Sequence, residues 1–158
     1  MTSPYYADAM PIYLEDLEPG TAYVSAGRTI TEADIMAFAG VSGDFRPLHT
    51  NEPWVRANTP FTGRIAHGLL ILAISSGLAM PGFDEVEVIA YMEEARRFLA
   101  PTYPGDTVHA VMTIDGVRPS ASRPTTGIVT TTTEVRNQRG EVVQAGTNAF
   151  LVGRRPVS

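Results

Sequence analysis

Asp44 and His49, with Pro47 between them, are the residues whose types and spacing point most directly to chemistry in this chain. They lie in the run Ser42-Gly43-Asp44-Phe45-Arg46-Pro47-Leu48-His49. On a continuous helix, at about 100° per residue, their side chains would point roughly 140° apart. Pro47 excludes that helix: it has no N–H to donate and pushes Arg46 toward an extended conformation. The segment is therefore expected to be a turn that follows a helix and aims the acid and the imidazole at one point. A carboxylate beside an imidazole is equipped to move protons to and from a bound water. The competing readings are a turn acid that bonds its own backbone for Asp44, and a half-buried structural histidine for His49.

The elements that must position this pair follow from the flanking pattern. Thr31 suits a helix N-cap, Glu32 and Asp34 favour the positive helix start, and Ile35, Phe38 and Ala39 recur at helical spacing. Gly40, Ser42 and Gly43 end that helix. Before it, residues 1–13 read as an N-terminal arm, Leu14 to Gly20 as a short segment and turn, and Thr21 to Arg28 as a first strand. After the pair, Thr50 to Asn58 is expected to form one or two helical turns. Ile65 to Met80 is apolar almost all round and stops at Pro81-Gly82, which predicts a buried helix. The period then changes. Val86 to Leu99, Thr107 to Val117, Thr125 to Arg136 and Val142 to Arg154 are rich in Val, Ile and Thr and separated by turn residues, which predicts four strands. Glu93, Glu94, Arg96 and Arg97 read as the solvated part of the first of these. One central helix followed by antiparallel strands is an α+β layout, with residues 14–158 as a single domain.

Composition narrows the function. The 158 residues are 44% hydrophobic and 18% charged, ordinary for a globular protein. A net charge of -5 without any run of Lys or Arg argues against a nucleic-acid partner. The absence of cysteine excludes disulfides, thiolate metal sites and thiol nucleophiles. His49, His67 and Asp44 show no metal-ligand spacing, so no metal is expected. No basic region precedes an apolar core at the N-terminus, and the longest apolar stretch is short for a bilayer. A cytoplasmic protein without membrane insertion is the expectation.

The run Phe38-Ala39-Gly40-Val41-Ser42-Gly43-Asp44-Phe45-Arg46-Pro47-Leu48-His49 resembles the signature of the MaoC-like, R-specific enoyl-CoA hydratases. Arg64-Ile65-Ala66-His67-Gly68-Leu69-Leu70 is similar to the start of that family's central helix. Arg97-Phe98-Leu99-Ala100-Pro101-Thr102-Tyr103-Pro104-Gly105-Asp106-Thr107 is similar to its strand-and-turn motif. The three occur in family order, and with the strands the resemblance covers roughly residues 14 to 153.

The resemblance implies a hot-dog fold, an antiparallel sheet wrapped around the central helix, and a homodimer or larger homo-oligomer. It implies a hydro-lyase that adds water reversibly to a trans-2-enoyl thioester, on CoA or a carrier protein, to give a 3-hydroxyacyl thioester. No cofactor is implied, the acyl-CoA being the substrate. Asp44 and His49 would hold the water, and the Gly68 backbone N–H would bind the thioester oxygen. Ser76 corresponds, by its distance from His67, to a serine at some family sites and would touch substrate. Arg46 stands where the family usually has asparagine. A charged fork cannot accept a hydrogen bond as an amide does, so Arg46 would either pair with Asp44 and weaken it as a base, or meet a substrate carboxylate or CoA phosphate. Two other functions stay open: a thioesterase on the same fold, which would be expected to carry an acid on the central helix, and a non-catalytic acyl-thioester-binding or assembly module.

Overall fold

The computed structural model describes residues 10–156. A 3₁₀ turn at Leu14–Asp16 opens the body. The strands β1 (Ala22–Val24) and β2 (Arg28–Thr29) follow, then the helices α1 (Glu32–Ser42), α2 (Pro47–Thr50), α3 (Glu52–Asn58) and α4 (Gly68–Ser76). Four long strands complete the chain: β3 (Val88–Phe98), β4 (Thr107–Pro119), β5 (Thr126–Asn137) and β6 (Val142–Gly153). They form one antiparallel sheet in the order β1-β4-β5-β6-β3, with β2 also paired to β4. Among the described residues no helix is long and apolar enough to cross a membrane.

The sheet curls around α4. On β4, buried and half-buried residues alternate from Thr107 to Ile114, as a strand with one face on the core must. Leu70, Ile71 and Ile74 of α4 pack on Val108, Val135 and Val143 from three strands. Burying each of these side chains contributes about 1.5–3 kcal/mol, which is what fixes the helix against the sheet. A second cluster around Leu17, Met112, Val129 and Phe150 fills the rest of the interior.

Several expectations need correction. The central helix is shorter than Ile65 to Met80: Ala66 donates its N–H to the Thr102 carbonyl and His67 is extended, so the helix starts at Gly68. It is also not buried all round, since Leu69 is 59% exposed. The expected first strand is two short pieces, β1 and β2. Of the arm at 1–13, residues 1–9 lie outside the described residues, and Ile12 already pairs with Val86 and packs on the core. Glu94 and Arg96 are not solvated. A β-bulge between Tyr91 and Glu93 shifts the register, and the Glu94 and Arg96 side chains turn toward the interior.

Candidate active site

Local chemistry builds the loop that carries Asp44. Thr31 caps α1 in a reciprocal box: its hydroxyl accepts from the Asp34 N–H, and the Asp34 carboxylate accepts from the Thr31 N–H. The helix closes at Gly43, whose φ of 75° is the left-handed conformation that favours glycine at this position. The chain then reverses through Asp44 and Phe45. Pro47 does more than break a helix: it occupies the first position of α2, where its missing N–H costs nothing. That single turn brings His49 back beneath Asp44. The expected turn is therefore a turn followed by a one-turn helix.

His49 is buried, and its Nδ1 lies 2.8 Å from the Ile65 carbonyl oxygen. A carbonyl can only accept, so Nδ1 carries the proton and neutral His49 presents a bare lone pair at Nε2. Nε2 is 3.9 Å from Asp44 Oδ2. That gap is too long for a direct hydrogen bond and short enough for one water to contact both groups. Burial, above all, pushes the His49 pKa below its ordinary 6.5, with the neighbouring His67 acting in the same direction and the Ile65 carbonyl and Asp44 opposing. The imidazole is thus held neutral and ready to take a proton.

Asp44 is set differently. The Arg46 guanidinium grips both carboxylate oxygens, Nε to Oδ1 at 2.8 Å and Nη2 to Oδ2 at 2.5 Å. These charge-assisted bonds hold the Asp44 carboxyl well below the usual carboxylate range. A carboxylate so held is a poor base and a durable anion. It can orient a water and favour a transient imidazolium at His49. The Arg46 side chain is 76% exposed at the mouth of the site. The pairing with Asp44 expected as one role of Arg46 is therefore present.

His67 supplies the floor. Its ring stacks on His49 with centroids 3.7 Å apart, and its Nε2 lies 2.9 Å from the Asp44 carbonyl oxygen, tying the acid loop to the start of α4. The following residue, Gly68, begins that helix, and its N–H meets no acceptor among the described residues. Such an N–H at the positive end of a helix stabilises a nearby developing oxyanion. The Phe98 ring lies against Gly68 so closely that an added Cβ would meet it at 2.6 Å.

Asp44, Arg46, His49, Gly68 and Phe98 all line one cavity of about 640 Å³, large enough for a small-molecule ligand. Ser76 does not join them. It sits at the other end of α4, donates its hydroxyl to the Ala73 carbonyl and borders a different cavity. Two lining residues escaped the sequence reading. Phe98 belongs to a quoted motif but had no assigned role. Gln144 donates from Nε2 to the Gly68 carbonyl at 2.7 Å, leaving its own Oε1 buried and unpartnered. An amide side chain in the Val-rich strand β6 was the only signal for it.

Asp44, His49 and His67 offer ligand atoms within 4.8 Å of one another. The set fits a metal poorly, because Arg46 already places a cation on both oxygens of Asp44, its one anionic member.

Comparison with known proteins agrees with this geometry. Residues 16–137 match the family model described as MaoC like domain. An (R)-specific enoyl-CoA hydratase of Rhodospirillum rubrum is 39% identical over 110 residues, covering 68% of this chain and 72% of that protein. A 3-hydroxybutyryl-CoA dehydratase of Methylorubrum extorquens is 34% identical over 115 residues, covering 71% and 69%. The crystal structure of a MaoC-like dehydratase from Rhodospirillum rubrum superposes with a TM-score of 0.78 at 35% identity, covering 92% of this chain and 99% of that one. With its hot-dog sheet curled around α4 and its Asp44–His49 pair facing the start of that helix, the chain belongs to the MaoC-like dehydratase family.

Proposed function

We propose that the chain is a hydratase/dehydratase that adds water reversibly to a trans-2-enoyl thioester, giving a 3-hydroxyacyl thioester. The observation that supports it most is the fixed tautomer of His49: the Ile65 carbonyl commits Nδ1 as donor, which leaves the Nε2 lone pair facing the Asp44 carboxylate. A water held between them gives its proton to His49 Nε2 while its oxygen bonds to C3. The C2–C3 π electrons move toward the thioester, and the Gly68 N–H receives the charge on its oxygen. The enolate then collapses as C2 takes a proton from the His49 imidazolium, restoring the neutral base. One preorganised backbone donor of this kind is typically worth about 3 kcal/mol in the transition state.

A thioesterase is less well served. Helix α4 holds no acidic residue, so no carboxylate lies on it to attack or activate water at the acyl carbon. Arg46, exposed at the cavity mouth with donors to spare, suits an anionic part of the thioester carrier such as a CoA phosphate. Strand β3 is an edge of the sheet that exposes Val88, Ile89 and Met92, which suits pairing with a second copy of the chain.

Incubation with crotonyl-CoA, following the conjugated enoyl absorbance and free thiol together, tests the reading. Hydration removes the absorbance without releasing thiol. Release of thiol in step with the loss would establish the thioesterase instead.

A further inference from the structure

A second cavity, of about 130 Å³, remains unused by the reaction. It lies further along the same seam between α4 and the sheet. Gly68 of α4, Phe98 of β3 and Gln144 of β6 line the first cavity, and Ser75, Arg96 and Asn148 of the same three elements line the second. Along the β3–β6 ladder, Phe98 pairs with Gln144, Arg96 with Gly146 and Glu94 with Asn148, so the two cavities follow one another in register. At a helical rise of 1.5 Å per residue, Ser75 stands about 10 Å beyond Gly68.

The second cavity has an unusual wall for an apolar seam. The Arg96 side chain is 4% exposed, and its Nε donates to Glu94 Oε1 at 2.8 Å. Its Nη1 is buried with no partner. Most of the neighbouring polar groups are spoken for, Asp84 Oδ2 among them, which accepts from the Met80 N–H at 2.7 Å. The other Glu94 oxygen is taken by the Tyr91 hydroxyl and the Asn148 amide. Asn148 Oδ1 accepts from Thr133 at 2.7 Å. The hydroxyls of Ser75 and Ser76 donate to carbonyls of their own helix. Burial and Glu94 push the Tyr91 pKa up to about 12, so it remains a donor to Glu94. The guanidinium of Arg96, which lines this cavity, is therefore left with a buried N–H that has no acceptor. The charges lining or adjoining the cavity are Arg96, Glu94 and Asp84, one positive against two negative.

We infer that the second cavity is a subsite for the far end of the acyl chain, and that it selects chains bearing a neutral oxygen acceptor there, a hydroxyl or a carbonyl. The Arg96 guanidinium supplies the matching donor. A methyl-terminated chain leaves that donor unpaired, and a carboxylate adds a third negative charge beside Glu94 and Asp84. The inference rests on the hydratase reading of the first cavity only for the direction in which the chain runs.

The test uses length-matched 2-enoyl-CoAs that end in methyl, hydroxyl, keto or carboxylate, with crotonyl-CoA as a short control for the wild-type enzyme. A calorimetric titration with the corresponding saturated acyl-CoAs runs beside it. At the length that reaches the cavity, the hydroxyl or keto chain should exceed the methyl chain in kcat/KM and in affinity by about ten- to a hundredfold, the range for a hydrogen bond from a charged donor. Arg96→Met should collapse that ratio. If this variant fails to fold because Glu94 is left unpaired, the Glu94→Gln/Arg96→Met double variant removes both charges and should show the same collapse. Turnover of crotonyl-CoA with no preference at any length overturns the subsite while keeping the hydratase. Absence of hydration with a preserved affinity preference keeps the subsite and overturns the hydratase. A preference for the carboxylate, or a ratio unchanged in the variants, overturns the assignment of Arg96.

Discussion

Replacing Gly68 with alanine tests the helix start through a single methyl group. The added Cβ would meet Cδ1 and Cε1 of Phe98 at 2.6 and 2.7 Å. Ordinary carbon contacts lie at about 3.5–4.0 Å, so the ring must withdraw by about 1 Å. It can do so cheaply, because Phe98 is 54% exposed and belongs to the edge strand β3. Alanine is also the better helix former by up to about 1 kcal/mol, so the thermal midpoint of Gly68→Ala should stay close to wild type. The site should not tolerate the change as well. Phe98 forms the cavity wall at the donor, and a shift of about 1 Å at a reacting centre can cost roughly a hundredfold in rate. The loss should fall on kcat for crotonyl-CoA hydration, because a donor to a developing oxyanion acts in the transition state. The double variant Gly68→Ala/Phe98→Ala removes the obstruction and should recover at least tenfold of that loss. A single variant with near-normal kcat, or a double variant no better than the single one, would refute the reasoning that the ring and the Gly68 N–H share this space.

Three further outcomes are expected. Arg46→Asn releases Asp44 and removes a nearby cation that lowers the His49 pKa, so the acid limb of the kcat/KM profile should move to higher pH; an unmoved limb would show that Arg46 does not govern the pair. His49 is buried with its pKa below 6.5, so between that lowered value and 6.5 the unfolded chain binds more protons than the folded one. Stability should therefore rise with pH up to about 6.5 and fall below it, and His49→Gln should flatten that segment of a denaturation-versus-pH series. The proposed pairing of two chains through β3 predicts that Met92→Asp, at a position 54% exposed, lowers the mass seen by sedimentation; an unchanged mass would contradict that pairing.

The parts of the fold that were legible in the sequence are those whose causes are local. Thr31 and Asp34 stand three residues apart and cap α1 by themselves, and the β-branched runs of β4 and β5 declare their period. The Asp44–His49 convergence was legible for the same reason: a left-handed glycine, a proline and one turn achieve it within a few residues. What escaped depends on distant partners. The start of α4 is set by a hydrogen bond from Ala66 to Thr102, so apolar character alone overextended the helix. The bulge after Tyr91 decides which face of β3 is inside, and without it Glu94 and Arg96 look like surface charges. Gln144 acts on Gly68, whose carbonyl lies far away in the chain. Ser76 was placed by spacing alone, and the helix axis carries it to the opposite end from Gly68.

The central claim is that Asp44 and His49 jointly handle one water beside the Gly68 N–H. Its most direct test is the rate of crotonyl-CoA hydration by Asp44→Asn, His49→Gln and the double variant, each shown to be folded by circular dichroism. Each single change should cut the rate by about 10²–10⁴, the range for general acid–base catalysis, and the double change should cost far less than the product of the two. Near-normal turnover in either single variant, or losses that simply multiply, would contradict a shared water.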